Sequence, residues 1–150
     1  MDRNYEKAKN IALQYRDIFG EGNFYLEIQD HGLPEQKEVN AALVKLSKEI
    51  NIPLVATNDI HYVNKEDSKI HDVLMCIQMG KTVNDPNRMR FGSDEFYLKS
   101  REEMEELFPY APEAIDNTVK IAEMCNIEFD FNTIHLPKYD VQKDILQILI

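Results

Sequence analysis

Basic residues are in short supply. Seventeen Lys and Arg stand against 27 Asp and Glu, giving a net charge of -10 and a sequence pI of about 4.8. A free-standing nucleic-acid binder needs the opposite balance, because it must displace counterions from phosphates; a local basic patch is still compatible with this total. Cysteine is scarcer, with Cys76 and Cys125 only. Each falls on the apolar stripe of an expected helix, which assigns both to buried thiols in a reducing compartment. No apolar run approaches the ~20 residues of a bilayer span, and the charged first residues carry no signal-peptide core. The expectation is a cytoplasmic protein without membrane contact. Internal repeats and low-complexity segments are also missing. What is present, 150 residues of which 43% are hydrophobic, suffices for one domain with a core.

The most informative stretch is Pro53-Leu54-Val55-Ala56-Thr57-Asn58-Asp59-Ile60-His61-Tyr62. Pro53 to Ala56 is too short for a helix and reads as a buried strand, with proline tolerated at its first position. Asn58, Asp59 and His61 then lie where the strand leaves the sheet, the edge at which open α/β sheets and α/β barrels hold ligands and metals. In extended backbone, residues two apart share a face. A carboxylate and an imidazole so placed suit Zn²⁺ or Mn²⁺. Taken alone, the D-x-H spacing more readily describes a turn capped by Asn58 and Asp59 beside a packed histidine.

In chain order, Asp2 to Phe19 reads as a helix with Tyr5, Ala8, Ala12, Tyr15 and Phe19 on one stripe, stopped by Gly20-Glu21-Gly22. Phe24 to Gln29 is a strand, with Tyr25, Glu27 and Gln29 on one face. After the turn from Asp30 to Pro34, a helix from Glu35 to Ile50 places Val39, Ala42, Leu43, Leu46 and Ile50 inward. Strand, crossover helix and strand form a βαβ unit, hence a parallel pair joined right-handedly. That arrangement brings His31 near the Asp59 turn, either as a group behind a metal ligand or simply as a cap of the loop beside Gly32. A further helix from Asn64 to Met79 carries Ile70, Val73, Leu74 and Ile77 as its buried stripe, with Asn64 as N-cap and Gly80 as stop. The spacing of His71 from His61 matches no zinc pattern, so His71 is expected to be a packed or surface residue.

Lys81 to Glu95 is a long polar loop, functional or docked on something. Arg88 and Arg90, with Met89 between them and Phe91 following, form the one basic-aromatic cluster. It suits a nucleic-acid backbone or an acidic protein surface, and the protein interface is the preferred reading. Phe96 to Lys99 reads as a short strand. Ser100 and Glu103 form a capping box that opens a helix with Met104, Leu107 and Phe108 inward. Ala111-Pro112-Glu113 starts another helix, packed through Ile115, Val119, Ala122 and Cys125. Ile127 to Phe131 and Thr133 to Leu136 look extended around a turn at Asp130-Phe131-Asn132. The apolar cluster between Val141 and Ile150 suggests a truncated fragment of something larger.

Three stretches carry a resemblance: Gly20-Glu21-Gly22-Asn23-Phe24-Tyr25-Leu26-Glu27, the Pro53 to Tyr62 segment, and Asn87-Arg88-Met89-Arg90-Phe91-Gly92-Ser93-Asp94-Glu95-Phe96-Tyr97-Leu98. Together with Ala122 to Asn126 and Ile134 to Lys138, they make the chain resemble the bacterial DNA polymerase III alpha subunits, replicative C-family enzymes, in the later part of their N-terminal PHP (polymerase and histidinol phosphatase) domain. The resemblance implies an α/β fold, part of a distorted PHP-type α/β barrel. Residues 1–136 would be the C-terminal portion of that domain, and residues 137–150 the start of the connection towards the palm.

The resemblance also implies that Asp59 and His61 are metal ligands, and that the domain's His-x-His pair and its other ligands lie outside this chain. Two ligands fall short of a stable transition-metal site. The full-length protein would be a DNA-directed DNA polymerase, its Mg²⁺-binding carboxylates lying beyond Ile150, with 3′-5′ exonuclease activity as a further role for the PHP site. The fragment itself would catalyse nothing. Its expected partners are the remainder of the same chain, other replisome subunits, DNA and deoxynucleoside triphosphates. The alternatives are a stand-alone PHP phosphoesterase and a degenerate PHP scaffold.

Overall fold

The computed structural model describes residues 4–136 and is mixed α/β. Asn4 caps α1 (Tyr5–Phe19) by accepting a hydrogen bond from the Lys7 amide at 2.9 Å; Asp2, where the helix was expected to begin, lies outside the described residues. The chain then runs through β1 (Leu26–Ile28), α2 (Pro34–Ile50) and β2 (Leu54–Ala56). The strands pair in parallel, with Leu26 opposite Leu54 and Ile28 opposite Ala56. The βαβ expectation therefore holds. Each strand is only three residues long, shorter than the Phe24–Gln29 and Pro53–Ala56 readings.

β1 buries Leu26 and Ile28 and turns Glu27 outward, the period-two pattern of a half-buried strand. α2 packs on β1 through Leu46 and Ile50, assisted by Leu43 and Val44, whereas Ala42 is exposed. The last element, α5 (Pro112–Met124), lies along β2. Its buried face is Ala111, Ala114, Ile115 and Asn117; of the expected residues Ile115 is buried, whereas Val119, Ala122 and Cys125 are exposed. Small side chains let the helix approach the strand closely. Asn117 donates to the Leu54 carbonyl at 2.7 Å, on the side of β2 that β1 does not pair. Before it, α4 (Arg101–Leu107) opens with the expected Ser100–Glu103 capping box, and Phe108 is fully buried.

The segment from Asn64 to Gln78 splits into a 3₁₀ turn (Lys65–Asp67) and α3 (Ser68–Gln78). Gly80, at φ 62°, ends it as expected, and Cys76 is buried. The apolar stripe is not: Ile70, Val73, Leu74 and Ile77 are 62, 45, 58 and 70% exposed. The helical period was read correctly, but nothing among the described residues covers that face. Phe96–Lys99 makes no ladder, only one parallel bridge between Tyr97 and Tyr62. Residues 127–136 form no strand, although Asp130 does organise its turn by accepting from the Asn132 amide at 2.8 Å. The 137–150 connection lies outside the described residues.

Candidate functional site

Both strands end at the same edge, where the Thr57 amide donates to the Ile28 carbonyl at 3.1 Å. Beyond it, the Gln29 side chain donates to Thr57 Oγ1 at 3.0 Å and the Thr57 hydroxyl to Glu27 at 2.5 Å, which ties the two strand ends together. The chain then turns. Asp59 sits at φ 37°, in the left-handed region that aspartate tolerates better than most residues. The expected extended D-x-H geometry is therefore not what juxtaposes the pair. The turn does so instead, leaving His61 Nδ1 3.9 Å from the Asp59 carboxylate and 2.9 Å from the Asp59 carbonyl oxygen.

That carbonyl contact fixes the imidazole. A carbonyl only accepts, so Nδ1 carries a proton, and in the neutral ring Nε2 keeps the lone pair. The His61 amide donates to the Phe96 carbonyl at 2.8 Å. Phe91, Phe96 and His71 surround the ring at centroid distances of 4.8, 5.5 and 5.5 Å. His71 is thus a packed residue, as expected, but it is packed on His61 itself. No group of three or more His, Cys, Asp or Glu side chains converges as a metal site among the described residues.

His31 lies close behind, 1% exposed and stacked on Phe96 at 4.1 Å. Both of its ring nitrogens are engaged. Nε2 is 3.1 Å from the Asn58 carbonyl, so it donates; Nδ1 then accepts from the Gln36 amide at 2.8 Å, while Gln36 Oε1 accepts from the His31 backbone amide at 2.7 Å. With no lone pair to spare, His31 props the carbonyl preceding Asp59 rather than offering a ligand. The neighbouring Asn58 side chain donates to the Tyr97 carbonyl at 2.5 Å and lies 3.4 Å from the buried Lys99 ammonium. Lys99 pairs with Glu95 at 3.3 Å and lies over the Tyr97 ring at 4.1 Å. Tyr97 donates to Glu103 at 2.7 Å, and that bond, with burial, pushes its phenol up to about 12.

The loop from Lys81 to Glu95 is clamped onto α3. Arg88 holds both carboxylate oxygens of Asp72, with Nη2 at 2.6 Å from Oδ2, and its side chain is buried. This bidentate bond holds the Asp72 carboxyl below the usual aspartate range. Arg88 is therefore occupied within the chain and does not face a partner, which corrects half of the basic-aromatic reading. Arg90 donates to the Val83 carbonyl at 3.2 Å, and its charge also helps to hold the Asp72 carboxyl down.

The DNA polymerase III alpha subunit of Treponema pallidum (strain Nichols) is 47% identical over 135 residues, 90% of this chain and 12% of that protein. That of Campylobacter jejuni is 46% identical over 142 residues, 95% of the chain and 12% of the relative, and that of Thermus aquaticus 51% over 114 residues, 74% and 9%. The chain matches one stretch of the DNA polymerase III alpha subunits. It spans only about a tenth of the length of these relatives, and no protein-family model matches it.

Two residues behind the Asp59 turn escaped sequence reading. Gln36, in the first turn of α2, reaches back to the preceding loop as a glutamine in a capping box does, so its position was a usable signal. Lys99 gave none, since its partners come from an irregular segment with no period to read. No helix among the described residues is long and apolar enough to cross a membrane.

Proposed function

We propose that the chain is the later part of the PHP domain of a DNA polymerase III alpha subunit, residues 1–136 contributing to a distorted α/β barrel and 137–150 leading towards the palm. The whole protein would extend primers from deoxynucleoside triphosphates with two Mg²⁺ ions held elsewhere in the chain. Its partners would be DNA, the remainder of the polymerase and other replisome subunits. Within this frame Asp59 and His61 supply two ligands of a divalent Zn or Mn site, completed by residues from outside the segment.

The observation that carries this reading is the locked His61 tautomer. Nδ1–H is committed to the Asp59 carbonyl, with the Asp59 carboxylate 3.9 Å from the same nitrogen, and Nε2 is the ring nitrogen left without a hydrogen bond among the described residues. Metal-binding histidines are oriented in this way by a carbonyl or carboxylate on the other nitrogen. His31 and Gln36 keep the Asn58–Asp59 turn in place. The aromatic box of Phe91, Phe96 and His71 restricts rotation of the ring and shields it from water on those sides. A bound ion would supply the Lewis acidity for phosphodiester hydrolysis.

The test is metal content, by mass spectrometry, of the full-length polymerase chain and its Asp59→Ala variant. The reading expects bound Zn or Mn to fall at least about tenfold in the variant, the scale of a lost ligand contact. Unchanged metal content would remove Asp59 as a ligand. A metal-free wild type would favour the PHP scaffold, a reading consistent with only two converging ligands among the described residues.

A further inference from the structure

One short segment grips the Asp59 turn from both ends. Residues 96–98 make no ladder, yet their backbone meets Asn58, His61 and Tyr62 in succession. The Tyr97 carbonyl accepts from the Asn58 side chain at 2.5 Å and the Phe96 carbonyl from the His61 amide at 2.8 Å, while the Leu98 amide donates to the Tyr62 carbonyl at 3.2 Å. Next in the chain stands Lys99, its side chain 2% exposed. Burying an ammonium is costly unless its protons find acceptors. Three acceptors surround this one: the Glu95 carbonyl, the Glu95 carboxylate at 3.3 Å and Asn58 Oδ1 at 3.4 Å. Glu95 also pairs with Lys65, which lies 3.6 Å from Asp94, so two cations meet two carboxylates. Packing does not call for a charge here, since an apolar side chain of similar length would fill the space without the desolvation cost.

The consequence falls on Asn58. An ammonium only donates and a carbonyl only accepts, so the Asn58 amide has a single orientation, Oδ1 towards Lys99 and Nδ2 towards Tyr97. From the other side, His31 Nε2 donates to the Asn58 carbonyl at 3.1 Å. Both the side chain of Asn58 and the peptide that follows it are thus held, and the next residue is Asp59 at φ 37°. A residue other than glycine keeps such a conformation only where its surroundings over-determine it. We propose that Lys99 is a positioning residue for the Asp59–His61 pair. Acting through the Asn58 side chain, it holds Asp59 in the left-handed turn that sets carboxylate beside imidazole. It does so without coordinating anything, because an ammonium has no lone pair to offer. That the pair holds a divalent ion rests on the function proposed above; the brace itself rests on the geometry.

The test compares the full-length polymerase chain with its Lys99→Met variant in two measurements. One is amide hydrogen exchange in EDTA, read by mass spectrometry on the peptide spanning Asn58 to Tyr62. The other is affinity for Zn²⁺ and for Mn²⁺, by competition with a chromogenic chelator. Exchange on the turn peptide should quicken about tenfold while peptides of α2 keep the parental rate. Metal affinity should fall about tenfold, the low end of what removing a group behind a ligand costs. Asn58→Ala should reproduce both changes, and adding Lys99→Met to it should move neither further. Lys9→Met, which removes the ion pair to Glu49 between α1 and α2, should leave both at parental values. If Lys99→Met quickens exchange throughout the domain, Asn58→Ala decides, since it leaves the Lys99–Glu95 pair in place. An unmoved turn peptide, or a loosened turn with parental metal affinity, overturns the proposal and leaves the metal reading standing. A parent chain that binds neither ion, with a turn that loosens as expected in the variant, removes the metal reading and keeps the brace.

Discussion

At the residue scale, the Arg88–Asp72 pair is the contact whose removal should tell most. Asp72 is half-exposed, yet its partner's side chain is buried, and the bond is bidentate. Its carboxyl is held below its ordinary value of about 3.9, chiefly by the hydrogen bond from Arg88. A depressed folded-state pKa stabilises the fold above the unfolded value, and that contribution fades as pH falls through the folded value. Asp72→Asn should therefore be less stable than the parent at pH 7. The gap should begin to close below about pH 4, as read from urea midpoints at successive pH values. A gap of constant size down to pH 3 would mean that the ion pair contributes nothing. The sequence could not have shown this pair. Arg88 and Asp72 are 16 residues apart, on a helix and an irregular loop, and no periodicity links them. The cluster was visible as chemistry, but not which of its two arginines remained free. The opposite holds for Asp59 and His61: residue types and strand-end position were legible, whereas the left-handed turn that brings them together was not.

At the scale of elements, helices were read well and their faces less so. The period-3.6 pattern found α1, α2, α3 and α5 within a few residues, because apolar spacing and caps such as Ser100–Glu103 act locally. Which side of α5 is buried depends on β2, a strand some sixty residues earlier. The most apolar stripe, through Val119 and Ala122, gave way to the side with small residues that meets the strand. Asn117 belongs to that side, and its bond to the Leu54 carbonyl satisfies a group that β1 leaves unpaired. Asn117→Ala should cost about 1–3 kcal/mol, the usual penalty for stranding a buried polar partner, more than Val119→Ala on the same helix, where the side chain is already half exposed. Thermal unfolding of the two variants gives the comparison. A larger loss from Val119→Ala would show that the face was assigned wrongly. Strands fared worse than helices: three-residue ladders offer little alternation to count, and Phe96–Lys99 has strand-like composition but finds only Tyr62 to pair with.

At the scale of the molecule, the described residues bury one small core around β1 and β2 and leave a second apolar surface open on α3. Ile70, Val73, Leu74 and Ile77 repeat at helical spacing, and all are well exposed. Full burial of side chains of this size is worth about 1.5–3 kcal/mol each, and contiguous apolar patches on a soluble surface mark contact sites or points of aggregation. The 150-residue chain made by itself should therefore self-associate through α3. Ile70→Lys/Ile77→Lys, at the two most exposed of these positions, should shift it towards monomer without lowering its melting temperature, since surface substitutions away from special features usually stay within about 0.5 kcal/mol. Sedimentation velocity over a concentration series, run beside a melt, separates the outcomes. A monomeric variant with the parental melting temperature locates the sticky face on α3. A variant that melts early instead would show that these side chains are internal to the fold, and that the helical stripe read from the sequence was a core face after all.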